Sequence, residues 1–292
     1  MLLNDQVARR LEEVADLLHE QGANIFRVLA YRRAANTVRR LATPVSEILH
    51  REGIDGLKGL PGIGDHLAVA IRHLVSSGRL PMLERLRGEA DPIELLMSVP
   101  GIGRIQAERL HDELGIENLE ELEAAAQDGR LADLAGFGHK RIAGIIDSLG
   151  TRLGHVRKTL ESSDQDHVPV AELLDVDLEY RELAQAGKLH CIAPRRFNPT
   201  GQTWLPILHT RRGEREYTAL FSNTARAHRL GKTHDWVILY HDGGSGERQA
   251  TAITAQHGPM ADQRIIRGRE TECLEYYTSL ASVASYAGGR PV

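Results

Sequence analysis

Three short stretches of similar sequence decide the fold expected for the first half of the chain. They read LPGIG at residues 60–64, VPGIG at residues 99–103 and LAGFG at residues 134–138. In each stretch two glycines flank one apolar residue, and a segment with apolar residues at helical spacing follows. The first glycines of successive copies are 39 and 35 residues apart. The unequal spacing indicates a reused motif and not a solenoid of fixed period.

An apolar residue followed by Gly-x-Gly at the start of a helix is the helix-hairpin-helix pattern. Because glycine has no side chain, a phosphate can approach the unpaired N–H groups at the helix N-terminus, where the helix dipole favours its charge. Such contacts carry no base identity, so the pattern predicts sequence-independent DNA binding. The alternative is that each copy is a plain turn between two helices. The predicted backbone-binding residues are Gly62, Gly64, Gly101, Gly103, Arg104, Gly136, Gly138 and Lys140.

Composition limits how such binding can work. The chain has 292 residues, 41% of them hydrophobic, which is enough for more than one core, and its formal net charge is −4. A protein that is basic over its whole surface is therefore excluded, and any DNA contact must be local. Cys191 and Cys273 make neither a disulfide framework nor a C-x-x-C motif, and no apolar run approaches the roughly 20 residues of a membrane helix. We expect a cytoplasmic, nucleoid-associated protein with no membrane partner.

The aromatic residues divide the chain into two differently built halves. Residues 1–160 contain only Phe26, Tyr31 and Phe137, and the other ten aromatic residues follow. The first half reads as helices, whereas β-like runs separated by turn sequences dominate the second. The predicted fold class is an all-α N-terminal half with helix-hairpin-helix motifs and an α+β C-terminal domain. The predicted divisions are 1–88 and 89–160 (both helical), a linker at 161–169 and the α+β domain at 170–285.

Several motifs in order resemble the amino-terminal region of bacterial family X DNA polymerases. They are NIFRVLAYRRAA at residues 24–35, LPGIGDHLAVAI, SSGRLPMLERL, VPGIGRIQAERL and GIENLEELEAAAQDGRLADLAGFGHKRI. The resemblance covers about residues 4–150, and in that family this region is a small lyase domain followed by a segment that grips DNA. It implies a role in DNA repair or the response to DNA damage, with gapped, nicked or double-stranded DNA as the partner. It also implies a monovalent cation at a hairpin turn.

The family also binds a 5′-phosphate at a DNA gap. Carried over to this chain, that pocket falls on Arg27, Tyr31, Lys58 and His66. Arg27 and Tyr31 are four residues apart on a predicted helix, so they share a face, and a guanidinium with a phenol hydroxyl suits a phosphate. The alternative is that all four are solvated helix residues. Ala70 stands where the family has its Schiff-base lysine, so the family's lyase chemistry is not expected.

The polymerase palm of the family has no counterpart in the sequence. The Asp-x-Asp at Asp175 and Asp177 lies in a segment that reads as one helix, where residues two apart point in different directions. Polymerase activity is therefore not expected. The fourteen histidines show no H-x-x-x-H spacing, and no metal site is predicted.

Polar residues near the ends of the predicted strands form a candidate site in the second half. If the strands make one sheet, these residues could line a basic groove with Trp204 or Trp236 available for base stacking. The alternatives are solvated arginines with buried tryptophans, a DNA-repair nuclease or lyase centre, and a surface that docks other repair proteins. The candidate residues are Arg195, Arg196, Asn198, Asn223, His228, Arg267, Arg269 and Glu270.

Overall fold

A computed structural model describes residues 4–89, 92–114, 116, 119–152, 168–243 and 246–287. The chain forms two compact units, one made of residues 1–89 together with 165–292 and the other of residues 90–164. Within the described ranges, no helix combines the length and the apolar composition that crossing a bilayer requires.

The predicted fold class is confirmed, because helices are followed by a sheet with flanking helices. The helices are α1 (Asn4–Glu20), α2 (Ile25–Arg40), α3 (Val45–Lys58), α4 (Asp65–Ser77), α5 (Pro81–Leu86), α6 (Pro92–Met97), α7 (Arg104–Leu114), α8 (Leu119–Gln127), α9 (His139–Arg152), α10 (Val170–Gln185), α11 (Ala225–Arg229) and α12 (Glu270–Ala287). The strands are β1 (His190–Ile192), β2 (Leu205–Arg212), β3 (Arg215–Phe221), β4 (Val237–Gly243), β5 (Gly246–Thr254) and β6 (Arg264–Ile266).

Local sequence sets the helix boundaries of the first unit. The side chain of Asn24 accepts a hydrogen bond from the Phe26 amide and caps α2. Asn4 accepts a hydrogen bond from the Val45 amide at 2.7 Å, which fixes the start of α3 against α1. The faces that α1 and α2 bury against each other carry apolar residues at helical spacing: Val7, Leu11, Val14 and Leu18 on α1, and Val28, Ala35 and Val38 on α2.

The six strands form one antiparallel sheet in chain order, β1-β2-β3-β4-β5-β6. The register pairs Ile192 with Leu205, Phe221 with Val237 and Thr254 with Arg264. The β1–β2, β3–β4 and β5–β6 connections therefore meet at one end of the sheet. The sequence predicts β-like runs at residues 189–193, 204–210, 217–221, 236–240 and 250–255, and these overlap β1–β5. The strand β6 was not predicted.

Helices cover both faces of the sheet. On one face α10 packs: its Tyr180 hydroxyl donates to the Pro206 carbonyl at 3.0 Å and accepts from the Phe221 amide at 2.8 Å. The N-terminal helices pack on the other face, to which Thr218 points, and the guanidinium of Arg27 lies 3.4 Å from its hydroxyl. His209 stands beside Thr218 and bonds to the side chain of Gln21 at 3.0 Å.

The N-terminal helices and the sheet also share one hydrophobic cluster, which extends from Val7 on α1 to Cys273 on α12. Residues 1–88 and 170–285, which are predicted as separate domains, belong to one compact unit in the structure. The physical reason is that the second face of the sheet is covered by these helices. The first segment of this unit ends at residue 89. Of the predicted linker, residues 161–167 lie outside the described residues.

The second unit contains α6–α9 around a cluster of its own. Its buried residues come from both hairpin motifs and from the segments between them. They include Leu96, Leu110, Ile116, Leu122, Leu131, Ile145 and Leu149. The paired motifs thus form one small core.

Candidate nucleic-acid interface

The three glycine motifs fold into the same turn. The first glycine of each has a positive φ, +75° at Gly62, +87° at Gly101 and +96° at Gly136, which L side chains rarely adopt. The next residue is buried and anchors the turn in the core, with 4% exposure in all three copies, at Ile63, Ile102 and Phe137. Its amide donates at 3.1 Å to the carbonyl three residues earlier, at Leu60, Val99 and Leu134 respectively.

The second glycine of each motif precedes a helix. The carbonyls of Gly64 and Gly103 each accept from an amide four residues on at 2.9 Å, and that of Gly138 accepts in the same way at 3.1 Å. The N–H groups of the first turn of such a helix have no partner within the helix. Apart from the adjoining residues of the chain, no atom of the described residues would lie within 4 Å of a β-carbon placed on Gly64 or Gly138. These two helix starts are therefore open to a ligand, whereas at Gly103 the side chain of Gln106 lies 3.0 Å from that position.

Two guanidinium groups lie at the paired turns of the second unit. Arg141 donates to the carbonyl of Gly136, and its Cγ is 4.0 Å from where a β-carbon on Gly101 would be. Arg109 donates to the carbonyl of Ala135. The turns at Gly101 and Gly136 are thus neighbours with Arg141 between them. Arg109 and Arg141 were not among the predicted site residues, although Arg141 comes three residues after the third motif.

Arg104 and Lys140, the cations that were selected, are both exposed. Arg104 pairs with Glu108, one helical turn later, at 3.1 Å. The side chain of Arg104 is 75% exposed and that of Glu108 is 50% exposed. An ion pair so open to water is weak, so a phosphate can compete for this guanidinium.

The first turn has a different electrostatic environment. Lys58 lies 2.5 Å from Asp65, and this contact raises the pKa of Lys58. The pair neutralises the acidic residue that follows the turn. Arg33 on α2 lies beside the turn, since its Cβ is 3.7 Å from a β-carbon placed on Gly62. Arg33 is exposed, and in the described part of the chain no hydrogen bond or ion pair joins its guanidinium to another residue. The sequence signal that could have found Arg33 is that α2 carries several arginines and no acidic residue.

The four residues predicted to bind a 5′-phosphate lie in two different places in the structure. Arg27 and Tyr31 meet at the sulfur of Met82, 3.8 Å and 3.1 Å away, and Tyr31 is 8% exposed. The sheet packs on this face of α2 through Thr218. Lys58 instead pairs with Asp65 at the hairpin, and His66 is exposed on the first turn of α4. Ala70, at the position of the family's lysine, is 7% exposed on α4.

The two carboxylates of the Asp-x-Asp point in different directions, as their helical spacing predicts. Asp175 bonds to Arg212 at 2.7 Å on the surface. Asp177 is fully buried and accepts two hydrogen bonds from Arg264, at 2.6 and 2.9 Å. Among the described residues, no group of three histidine, cysteine, aspartate or glutamate side chains is arranged to hold a metal ion.

A monovalent cation at a hairpin turn would need free carbonyl oxygens. At the third turn the carbonyls of Ala135 and Gly136 already accept from arginines, and a second cation would be repelled there. At the first turn the Pro61 carbonyl accepts from the Thr37 hydroxyl at 2.8 Å. The carbonyls of Pro61, Ala135 and Gly136 thus already accept hydrogen bonds from side chains of the protein.

The predicted groove of the second half resolves into separate clusters. Arg196, Asn223 and His228 come together at the end of the sheet where three connections meet: the side chain of Asn223 donates to the Arg196 carbonyl at 2.9 Å and bonds to His228 at 2.6 Å. Arg195 is exposed beside them.

The other predicted residues have different surroundings. The guanidinium of Arg267 lies 4.4 Å from the ring centre of Trp236, which is 9% exposed. Arg269 pairs with Glu272 at 2.5 Å, and Glu270 accepts from the Gly268 amide at 2.9 Å at the start of α12. Asn198 bonds within its own loop, to Gln202.

Comparison with known proteins identifies the helical half. A family model described as a helix-hairpin-helix domain matches residues 3–80, and one described as a SAM-like helix-hairpin-helix tandem matches residues 54–115 and 93–151. The DNA polymerase/3′-5′ exonuclease PolX of Bacillus subtilis is 31% identical over 145 residues, which are 49% of this chain and 24% of that protein. A DNA nucleotidylexotransferase of Ambystoma mexicanum is 29% identical over 98 residues, 33% of this chain and 18% of that protein.

The chain therefore spans about a quarter or less of the length of these relatives. The three equivalent turns, the two family models and the identity to PolX agree on the same stretch of sequence. Residues 3–151 are a helix-hairpin-helix region similar to the N-terminal region of family X DNA polymerases.

Proposed function

We propose that the protein binds the phosphate backbone of DNA without sequence preference and serves DNA repair at the nucleoid. The observation that carries the proposal is that one turn is built three times, each ending in a helix N-terminus, with guanidinium groups beside the turns. Backbone amides and the helix dipole together make such a terminus suited to phosphate. The similarity to a DNA polymerase and a DNA nucleotidylexotransferase supports DNA as the partner.

The arrangement explains how a chain with net charge −4 can bind a polyanion. The amides carry partial positive charge that formal charge counting misses, and arginines supply full charges only at the turns. The two adjacent turns of the second unit, with Arg141 between them, suit contacts to neighbouring phosphates of one strand.

Equilibrium binding to two duplexes of unrelated sequence tests the proposal. We expect equal dissociation constants, and a binding constant whose logarithm falls linearly with the logarithm of salt concentration. A large preference for one sequence, or binding that does not respond to salt, would contradict backbone recognition.

A valine at Gly138 tests the role of the turn itself. The backbone at Gly138 does not need a positive φ and its surroundings are open, so Gly138→Val leaves the fold intact while its methyl groups occupy the approach of a phosphate. Loss of one charge-assisted contact of about 1.5 kcal/mol corresponds to roughly tenfold weaker binding. Gly144→Val adds the same side chain to the exposed side of α9, again with no neighbour within 4 Å, and is the matched control.

A second candidate function is recognition of a 5′-phosphate at gaps or nicks. It is favoured by Arg33, Lys58 and His66, which surround or lie next to the first hairpin turn. Gapped DNA with a 5′-phosphate should then bind more tightly than the same DNA without it. Equal affinity for both would reject end recognition and leave backbone binding untouched.

A further inference from the structure

One end of the sheet presents an aromatic side chain to solvent in a strained loop. Phe197 lies in the β1–β2 connection and is 45% exposed. Its φ of +52° is uncommon for a residue other than glycine and rarer still for a side chain as bulky as phenylalanine. Strained backbone of this kind persists only where the surrounding structure holds it, and it concentrates at functional sites.

A hydrogen-bonded network holds this loop in place. The side-chain nitrogen of Asn223 donates to the carbonyl of Arg196, the residue before Phe197. Asn198, the residue after it, accepts from the Gln202 amide at 3.1 Å and donates to the Gln202 carbonyl at 2.8 Å. Both neighbours of Phe197 are thus fixed, and the exposed ring has a defined position.

The ring of Phe197 stacks on His228. The two ring centres are 4.4 Å apart with an angle of 35° between the planes. Because the amide nitrogen of Asn223 is used by the Arg196 carbonyl, its oxygen is the acceptor, and Nε2 of His228 donates to it at 2.6 Å. Phe197, His228, Asn223 and Arg196 form one ordered group, which we call the Phe197 platform.

The platform has positive charge close to an aromatic face. The guanidinium carbon of Arg196 is 5.2 Å from the ring centre of Phe197. Burial, Arg196 and His234 lower the pKa of His228, so its imidazole is predominantly neutral near pH 7 and the charge comes from the arginines. Arg195 is exposed in the same loop.

The tryptophans expected to stack bases are less suited. Trp236 is only 9% exposed, so little of its ring is open to a base. Trp204 is half-buried and faces His234 at 6.4 Å. Phe197 is the aromatic residue at this end of the sheet that combines exposure with neighbouring cations.

We propose that the Phe197 platform binds an unpaired nucleobase of DNA, stacked on Phe197, with the adjoining phosphate held by Arg195 and Arg196. An aromatic face accepts any base, and arginines next to it suit the backbone of a single strand, so the site is selective for unpaired and not for duplex DNA. The inference rests on the proposed function, since DNA is the partner in both, but it concerns a different part of the chain and a different form of DNA.

The test compares a single-stranded oligothymidine with a blunt duplex as ligands of the full chain. Stacking of one base contributes about 1–3 kcal/mol, so Phe197→Ala should weaken single-strand binding roughly 5- to 150-fold and change duplex affinity less than twofold. Phe197→Asn gives a second test, because asparagine tolerates the positive φ while the ring is lost. Phe197→Trp should retain binding. Leu178→Ala, which removes an exposed apolar side chain from α10, is the matched control and should change neither affinity.

The outcomes separate this inference from the proposed function. Wild-type protein that binds duplex but no single strand, or Phe197→Asn that binds the single strand as well as wild type, overturns the platform and leaves backbone binding standing. Equal losses for both ligands in a folded Phe197→Asn protein also overturn it. Protein that binds the single strand through Phe197 but no duplex overturns the proposed function alone.

Discussion

The contact between α5 and the sheet allows a sharp stability prediction. Arg85 is 4% exposed; it pairs with Glu247 on β5, and its guanidinium lies 3.7 Å from the ring centre of Tyr240 on β4. The ion pair joins residues 162 positions apart in the chain. Removing one member of a buried ion pair costs about 3–5 kcal/mol, because the other charge stays desolvated.

The magnitude depends on how well each partner can be rehydrated. Glu247 is 25% exposed and regains part of its hydration, so we expect Arg85→Ala to lower the free energy of unfolding by about 3 kcal/mol. Glu247→Ala leaves the positive charge of Arg85 buried without its partner, and this charge cannot be neutralised because arginine does not deprotonate in proteins. The double variant Arg85→Ala/Glu247→Ala should lose less free energy of unfolding than the two single variants lose together, with a coupling energy of roughly 2 kcal/mol.

Denaturant unfolding followed by tryptophan fluorescence provides the assay. Both tryptophans, Trp204 and Trp236, lie in the sheet segment, so a change at Arg85 on α5 reaches them only if the helices and the sheet unfold together. The exposed pair of Arg51 and Glu47, 66% and 49% exposed at 3.7 Å, is the control and should show a coupling below about 0.5 kcal/mol. A fluorescence transition that Arg85→Ala does not move would refute a shared folding unit.

Three further predictions follow from single contacts. Gly88→Ala should lower the free energy of unfolding by roughly 2 kcal/mol, because φ is +73° and a β-carbon would lie 2.6 Å from a backbone oxygen of the β1–β2 loop. Gly187→Ala is the control and should cost less, since Gly187 has a similar φ of +64° but open surroundings. Equal losses of stability in thermal unfolding would show that the contact between Gly88 and the loop has no effect. Burial, together with nearby guanidinium groups, lowers the pKa of His209 to about 3. The stability that neutral His209 contributes is therefore complete above about pH 6.5 and is lost as the pH falls towards 3. In urea unfolding between pH 6 and 4, the free energy of unfolding should fall less steeply with decreasing pH in His209→Gln than in wild type, by up to about 1.4 kcal/mol per pH unit. An unchanged slope would show that His209 takes up its proton in the folded state. Arg33→Ala should reduce the slope of the logarithm of the DNA-binding constant against the logarithm of salt concentration by about 1. Arg32→Ala should reduce this slope less, because the guanidinium of Arg32 already pairs with Asp16 at 3.1 Å. Equal slopes for the two variants would show that Arg33 does not contact DNA.

Local sequence was sufficient to predict the hairpin turns. Gly-x-Gly with a central apolar residue specifies a positive φ, a buried anchor and a helix start within five residues, and all three copies adopt that geometry. The helical half, the α+β half and β1–β5 followed from periodicity and turn residues in the same way. These features need no information from distant parts of the chain.

The parts that sequence did not predict depend on contacts between distant residues. No local pattern indicates that Arg27 will face Thr218, 191 residues away, or that the sheet will cover the side of α2 that bears Tyr31. Arg33 becomes a neighbour of Gly62 only when α2 packs beside the first turn. Phe197 was not among the predicted site residues, and its 45% exposure and its contact with His228 arise only in the folded loop that Asn223 holds.

The proposed DNA binding depends on hydrogen bonds from the hairpin amides to phosphate, and amide chemical shifts measure these hydrogen bonds directly. On titration of the full chain with a short duplex, the amide protons of Gly64, Gly103 and Gly138 should move downfield, whereas those of Gly187 and Gly213, which lie outside the hairpin turns, should stay in place. Saturation with DNA that leaves the three hairpin glycines unshifted would contradict the account.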